Sequence, residues 1–277
     1  MSKPVIDAPQ ERLYHLRESQ VLYGHRVTLL ESGGPFALVE VPDQPHFNGQ
    51  HWSGYIGYVE RAALAPLPND VYLGSCARSQ AAIRRESSGG SAALLPLALS
   101  SNILGQIVDA HWIRTFNGGY IERRVTQMPA AHAFWQQWVG VPYVWGGLQA
   151  GLCDDMQGID CSGLIWSIAA VMGLSLPRNA HDQWLLAEDV NYDRPNAGDL
   201  LFLRDANSGR CRHVAICVGA DLVLDAAEAY GKSRLVELSE LCWWKRDSEQ
   251  CVIKHMPALS RALRSAKLEI SSATSLS

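Results

Sequence analysis

The chain changes texture near residue 126, and that break constrains the fold more than any other feature. Before it lie short runs rich in β-branched and aromatic residues, VLYGHRVTLLES, FALVEV and SGYIGYV between residues 20 and 64, bounded by Gly, Pro, Asn and Asp. Strands this short at this spacing predict a small β-barrel. After the break, AAHAFWQQWVG carries apolar residues at helical spacing up to Gly140. Helix signals follow at 162–172, stopped by Gly173, and at 180–188; strand signals come at 200–203, 213–218 and 222–226. Helices first and antiparallel strands afterwards is an α+β pattern. A length of 277 residues agrees with about two domains.

The first strand group resembles a bacterial SH3-type (SH3b) domain in its SQVLYGHRVTLLE opening and in GYIGYV followed by Leu64. A weaker second copy is expected over roughly 71–125, where SNILGQIVDAHWIRTFNGGYIERRV echoes the first and Gly119-Tyr120-Ile121 stands for Gly54-Tyr55-Ile56. ESSGGSA at 86–92 reads as a loop, and the Ser/Ala/Leu-rich end after Pro257 as frayed chain or a short surface helix. The expected boundaries are a first barrel at 1–68, a second, divergent one at 69–127, a catalytic domain at 128–260 and a tail at 261–277.

Lys plus Arg number 24 and Asp plus Glu 28, for a formal charge of −4. That balance argues against affinity resting on phosphate neutralisation, so no nucleic-acid partner is expected. No apolar run reaches membrane-spanning length, and Asp7, Glu11 and Arg12 interrupt any leader-like core at the start. A cytoplasmic protein with no membrane partner is expected. Seven cysteines, at 76, 153, 161, 211, 217, 242 and 251, form no CxxC pair. Most read as small buried hydrophobes, and one as a nucleophile.

That one is Cys161, in GIDCSGL, at the start of the helix predicted from 162. Backbone N–H groups and the positive end of the helix dipole stabilise a thiolate there. A nucleophile needs a base projecting from a rigid element, and His213 opens the strand HVAICV. A third group should orient the imidazole, and Asp225 in LVLDA is the candidate. Register decides whether it can. A two-residue turn at Ala220-Asp221 turns Asp225 away from His213. A three-residue loop from Gly219, or a bulge, sets Asp225 opposite Ala215 and diagonal to His213, roughly 7–8 Å away between backbones and within side-chain reach. An odd-length loop or a bulge is therefore expected.

VPYVWGG, GIDCSGL, LPRNAHDQ, AGDLLFL, RHVAICVG and LVLDAAE, in this order over residues 140–228, resemble an NlpC/P60 cysteine peptidase. With an SH3b region in front, the resemblance is to the subgroup that cleaves γ-D-glutamyl–diamino acid bonds in cell-wall peptides. It implies a papain-like α+β catalytic domain preceded by one or two small SH3-like barrels. It further implies Cys161 as nucleophile, His213 as base, Asp225 where the family often has His, and Tyr143 beside the Cys161 N–H as oxyanion donors. Asp160 and Ser162 match positions that bind a substrate's free amine, and Tyr55 resembles a barrel tyrosine that closes the amine pocket. Trp145, Arg178, Asn179 and Arg212 complete the expected substrate-binding set, with no metal and no cofactor.

Three departures stand out. Arg178-Asn179-Ala180 replaces the subgroup's Arg-Asp-Ser, with Asn179 able simply to cap the next helix. Arg212 stands where the subgroup can have a second His. The long 148–159 loop carries Asp154 and Asp155, which could restore negative charge. A zinc site at Cys211, His213 and Cys217 lacks paired-ligand spacing. The expected partner is a small murein peptide with a free N-terminal L-Ala, cleaved during murein recycling. The competing classes are a non-catalytic peptide-binding protein and a papain-like acyltransferase or amidase.

Overall fold

A computed structural model describes residues 17–66, 72–85, 93–115, 119–150, 158–219, 221–244 and 250–270. The first strand group forms an antiparallel meander, β1 (Thr28–Gly33), β2 (Phe36–Phe47) and β3 (Trp52–Glu60). Alternation along β2 drives Ala37, Val39 and Val41 inward against Val21, Val27, Tyr55, Val59 and Leu64. The register then slips between Val41 and Pro45, because two prolines in a strand cannot serve the ladder and favour a bulge. That bulge turns Gln44 fully inward. It also presents the carbonyls of Asp43 and Pro45 to the rest of the molecule.

Strands β4 (Tyr72–Ser75), β5 (Gln80–Arg85), β6 (Ala93–Pro96), β7 (Asn102–Ile107), β8 (Trp112–Thr115) and β9 (Gly119–Glu122) make a second sheet, ordered β4-β7-β8-β9-β5-β6. Its small core gathers Cys76, Ala81, Ile103, Ile113, Ile121 and Val125. One local feature is shared by the two sheets, and it does not follow the expected pairing. A 3-10 turn starts immediately after Glu60, at φ −61° and ψ 124°, and another immediately after Glu122, at φ −62° and ψ 128°. Gly57-Tyr58-Val59-Glu60-Arg61 is thus the counterpart of Gly119-Tyr120-Ile121-Glu122-Arg123, not Gly54-Tyr55-Ile56. Gly-Tyr occurs twice in β3, and only the turn that follows tells the two apart.

From α1 (Ala131–Gln136) onward the fold is α+β, as the order of signals predicts. Strands β10 (Leu148–Gln149) and β11 (Gly158–Ile159) pair and feed α2 (Cys161–Val171), with α3 (Ala180–Leu186) behind it. Six antiparallel strands follow: β12 (Glu188–Asp189), β13 (Asp199–Arg204), β14 (Cys211–Gly219), β15 (Leu222–Ala227), β16 (Lys232–Glu237) and β17 (Cys251–His255), ordered β12-β17-β13-β14-β15-β16. The uncharged sequence CSGLIWSIAAV lets α2 bury almost every side chain, and it packs on β14 and β15.

The C-terminal stretch departs from the tail reading. Helix α4 (Pro257–Ser265) crosses the boundary expected at 260, and its Leu259 and Leu263 enter the main core with Leu268. Trp135 Nε1 donates to the Leu268 carbonyl at 2.6 Å, and Ile270 bridges Gly219.

Candidate active site

Asp160 opens the site. It is the N-cap of α2, extended at φ −93° and ψ 178°, and its Oδ1 accepts the Gly163 N–H at 2.6 Å. Gly163 is required there, since a Cβ would meet the Gly147 carbonyl at 2.2 Å. This cap fixes Cys161 at the first helical position, 7% exposed, where unpaired N–H groups of the first turn gather.

The hairpin carrying His213 has a register that brings Asp225 to its side. Ile216 pairs with Leu224 and Cys217 with Val223, and a bulge before Gly219↔Leu222 absorbs the tight turn. Asp225 therefore falls diagonal to His213, and His213 Nε2 lies 2.7 Å from Asp225 Oδ1. With Nε2 so engaged, Nδ1 is the nitrogen left for the hydrogen bond between His213 and Cys161. Burial alone would push the imidazolium down. The Cys161 charge, hydrogen bonds to Asp225 and Cys161, and the Asp225 charge outweigh it, so that His213 is pushed up to about 10.

Arg178 and Asp160 form a buried, bidentate ion pair, at 3.0 Å to Oδ1 and 2.7 Å to Oδ2. The remaining guanidinium N–H groups reach Ser162 Oγ, the Gly147 carbonyl and Ser19 Oγ. With 1% exposure and all five N–H groups engaged inside, Arg178 braces the site from behind. Arg178, expected in the substrate-binding set, thus has its donors engaged by the protein itself. Asp160 also accepts from Gly146 and Ser162, so a ligand ammonium would have to share this carboxylate with donors already in place.

Asn179 sits at the N-cap of α3 without making a side-chain cap bond, contrary to the simple capping reading. Its amide turns instead to His46 Nδ1, at 3.5 Å, and to the Tyr55 hydroxyl. Tyr55 Oη also donates to Glu18 Oε2 at 3.2 Å, and burial is the first cause pushing the phenol up. The first sheet thus reaches the catalytic half at Tyr55. It is docked by Trp166 Nε1 donating to the Asp43 carbonyl and by the Arg178 N–H donating to the Pro45 carbonyl.

Tyr143 is partly buried and bridges Ile159, two residues before Cys161. Trp145 is 48% exposed beside Gly146, and Arg212 is exposed next to His213. Asp154 and Asp155 lie outside the described residues. Three partners escaped the sequence reading. Glu18 has no local signal at all. The buried Asp182, 2.7 Å from His46 Nδ1, looks like an ordinary first-turn acid in sequence. Trp243, whose Nε1 donates to Asp225 Oδ2 at 3.1 Å, sits in a conspicuous Trp-Trp pair far along the chain.

The NlpC/P60 family model matches residues 140–251. A γ-D-glutamyl-L-lysine dipeptidyl-peptidase of Bacillus subtilis is 27% identical over 86% of this chain and 80% of its own length. One of the same name from Bacillus cereus is 24% identical over 80% and 71%. A crystal structure of an NlpC/P60 family protein from Bacillus cereus superposes with a TM-score of 0.68 at 21% identity, covering 89% of this chain and 85% of that one, a likeness of fold. Residues 140–251, which hold Cys161, His213 and Asp225, are therefore a cysteine peptidase domain of the NlpC/P60 family.

Proposed function

We propose that this protein is a cysteine endopeptidase that hydrolyses the γ-D-glutamyl–diamino acid bond of small murein peptides carrying a free N-terminal L-Ala. The observation that carries the reaction is the His213 ring held between Cys161 and the wholly buried Asp225. The Cys161 sulfur attacks the γ-glutamyl carbonyl, forming a C–S bond, while the Cys161 N–H and Tyr143 stabilise the oxyanion. His213 gives its proton to the diamino acid nitrogen as the C–N bond breaks. It then takes a proton from the water that hydrolyses the thioester, restoring thiolate and imidazolium.

The substrate side rests on the names of the two Bacillus relatives and on Glu18, Tyr55 and Ser162, which offer acceptors to an ammonium. In intact murein the L-Ala nitrogen is acylated, so an ammonium-reading pocket favours released fragments and hence recycling, within the cytoplasm. We read residues up to 68 and 69–127 as SH3b-like barrels, with the first one closing this pocket through Tyr55. No helix among the described residues is long and apolar enough to cross a membrane.

The test is mass spectrometry of products from a muropeptide panel. L-Ala-γ-D-Glu plus a free diamino acid or shortened peptide is expected, with Cys161→Ala leaving less than about a thousandth of the rate. Acyl adducts on an added amine would mark a transferase, and unchanged peptides a binding protein; either sinks the hydrolase reading.

A further inference from the structure

We propose that Trp243 is a positioning residue of the catalytic centre: its indole N–H holds the outer oxygen of Asp225 and so limits how tightly that carboxylate holds the His213 proton. The kinetic part of this inference rests on the peptidase reading; the titration part does not.

Asp225 has no solvent exposure, so both oxygens need donors from the protein. His213 Nε2 takes Oδ1 at 2.7 Å and Trp243 Nε1 takes Oδ2 at 3.1 Å. The indole also packs edge-on against the imidazole, with ring centroids 4.8 Å apart at 77°. Trp243 therefore touches both members of the pair from outside the sheet. Its backbone is anchored by the turn after β16, where Leu238 and Leu241 bury against Leu201, Ala215 and Val223. A capping box between Glu237 and Glu240 closes that turn.

Among the described residues, the other charged and titratable groups around this pair include Cys161 from α2, Arg212 beside His213 on β14, Arg234 from β16 and Cys242 beside the tryptophan. Arg234 stands opposite Asp225 in register, but its guanidinium lies over the Tyr230 ring, 3.2 Å from the centroid. Cys242 accepts from the Tyr230 hydroxyl at 2.6 Å.

A carboxylate shared between two donors presses less negative charge on either one. Without the indole N–H, a buried oxygen loses its donor and the charge acts on His213 alone. The imidazolium then becomes a weaker acid and a poorer proton donor to the leaving amine.

Trp243→Phe keeps the ring and removes the N–H. In protein carrying isotope-labelled histidine, the NMR titration midpoint of His213 is expected to rise by roughly half a unit or more, with no substrate present. On the murein tripeptide, kcat is expected to fall about tenfold with KM within about twofold of wild type. An unmoved or lowered His213 midpoint overturns the proposal, because the indole would then be packing alone. A raised midpoint in a protein whose wild type leaves the tripeptide intact supports the role at His213 and counts against the peptidase reading instead.

Discussion

Asp225→Asn preserves the shape of the contact at His213 and removes its charge, which separates orientation from electrostatics at a single atom. Burial pulls the imidazolium down, and the surrounding charges and hydrogen bonds hold it near 10. Deleting one of those charges lets burial gain. The basic limb of the kcat/KM profile should then move to lower pH by roughly 1–3 units, with kcat reduced at the optimum. An unchanged limb would show that the titrating group is not His213. The sign also bears on stability. A folded value raised above 6.5 means that the imidazolium stabilises the fold fully below that pH, and that this contribution is lost as pH rises through about 10. Asp225 was legible in sequence because strand alternation ties its face to the hairpin register, and register has few solutions. Glu18 was not, because its partner Tyr55 is 37 residues away and no local period links them.

Helix α2 shows how an element converts packing into chemistry. Its N-terminus must lie where Gly147, Gly163 and Asp160 meet, so the glycine and the cap set the place of Cys161 as firmly as the core beneath does. The cap was readable in GIDCSGL, since a cap followed by an apolar run announces a helix start, whereas the need for Gly163 depends on the Gly147 carbonyl 16 residues earlier. The end of the chain was not readable in the same way. SRALRSAKLEI alternates charge with Leu and Ala and resembles a solvated surface, yet Leu263 and Leu268 are 1% and 0% exposed. What decides is the Trp135 indole waiting for the Leu268 carbonyl, a tertiary contact across 133 residues. Leu263→Ala should therefore cost about 2–5 kcal/mol, read from the urea midpoint at constant slope. A loss under about 0.5 kcal/mol would identify α4 as a surface helix after all.

At the scale of the whole molecule, the question is why a peptidase domain needs a β-sheet standing against it. The bulge in β2 supplies one answer. It offers Asp43 and Pro45 carbonyls to Trp166 and to the Arg178 backbone, and so brings Tyr55 and Glu18 to the rim of the catalytic half. Within the catalytic half, the carboxylate next to Cys161, Asp160, is already paired with Arg178. In the function proposed above, a substrate ammonium would meet its freer acceptor at Glu18, in the segment ahead of the first sheet, and specificity would be a property of the assembled chain. Glu18→Gln tests this with a pair of substrates. Glu18 is exposed in the unliganded protein, so its pairing with an ammonium is worth about 1 kcal/mol rather than the value for a buried pair, and kcat/KM for the free-amine tripeptide should fall about fivefold. The N-acetylated tripeptide has no ammonium, so it should react poorly and equally with both proteins. The coupling between the two changes is the decisive quantity. Equal losses on both substrates would mean that Glu18 supports the fold of the rim, and that the amine is read, if at all, within the catalytic half.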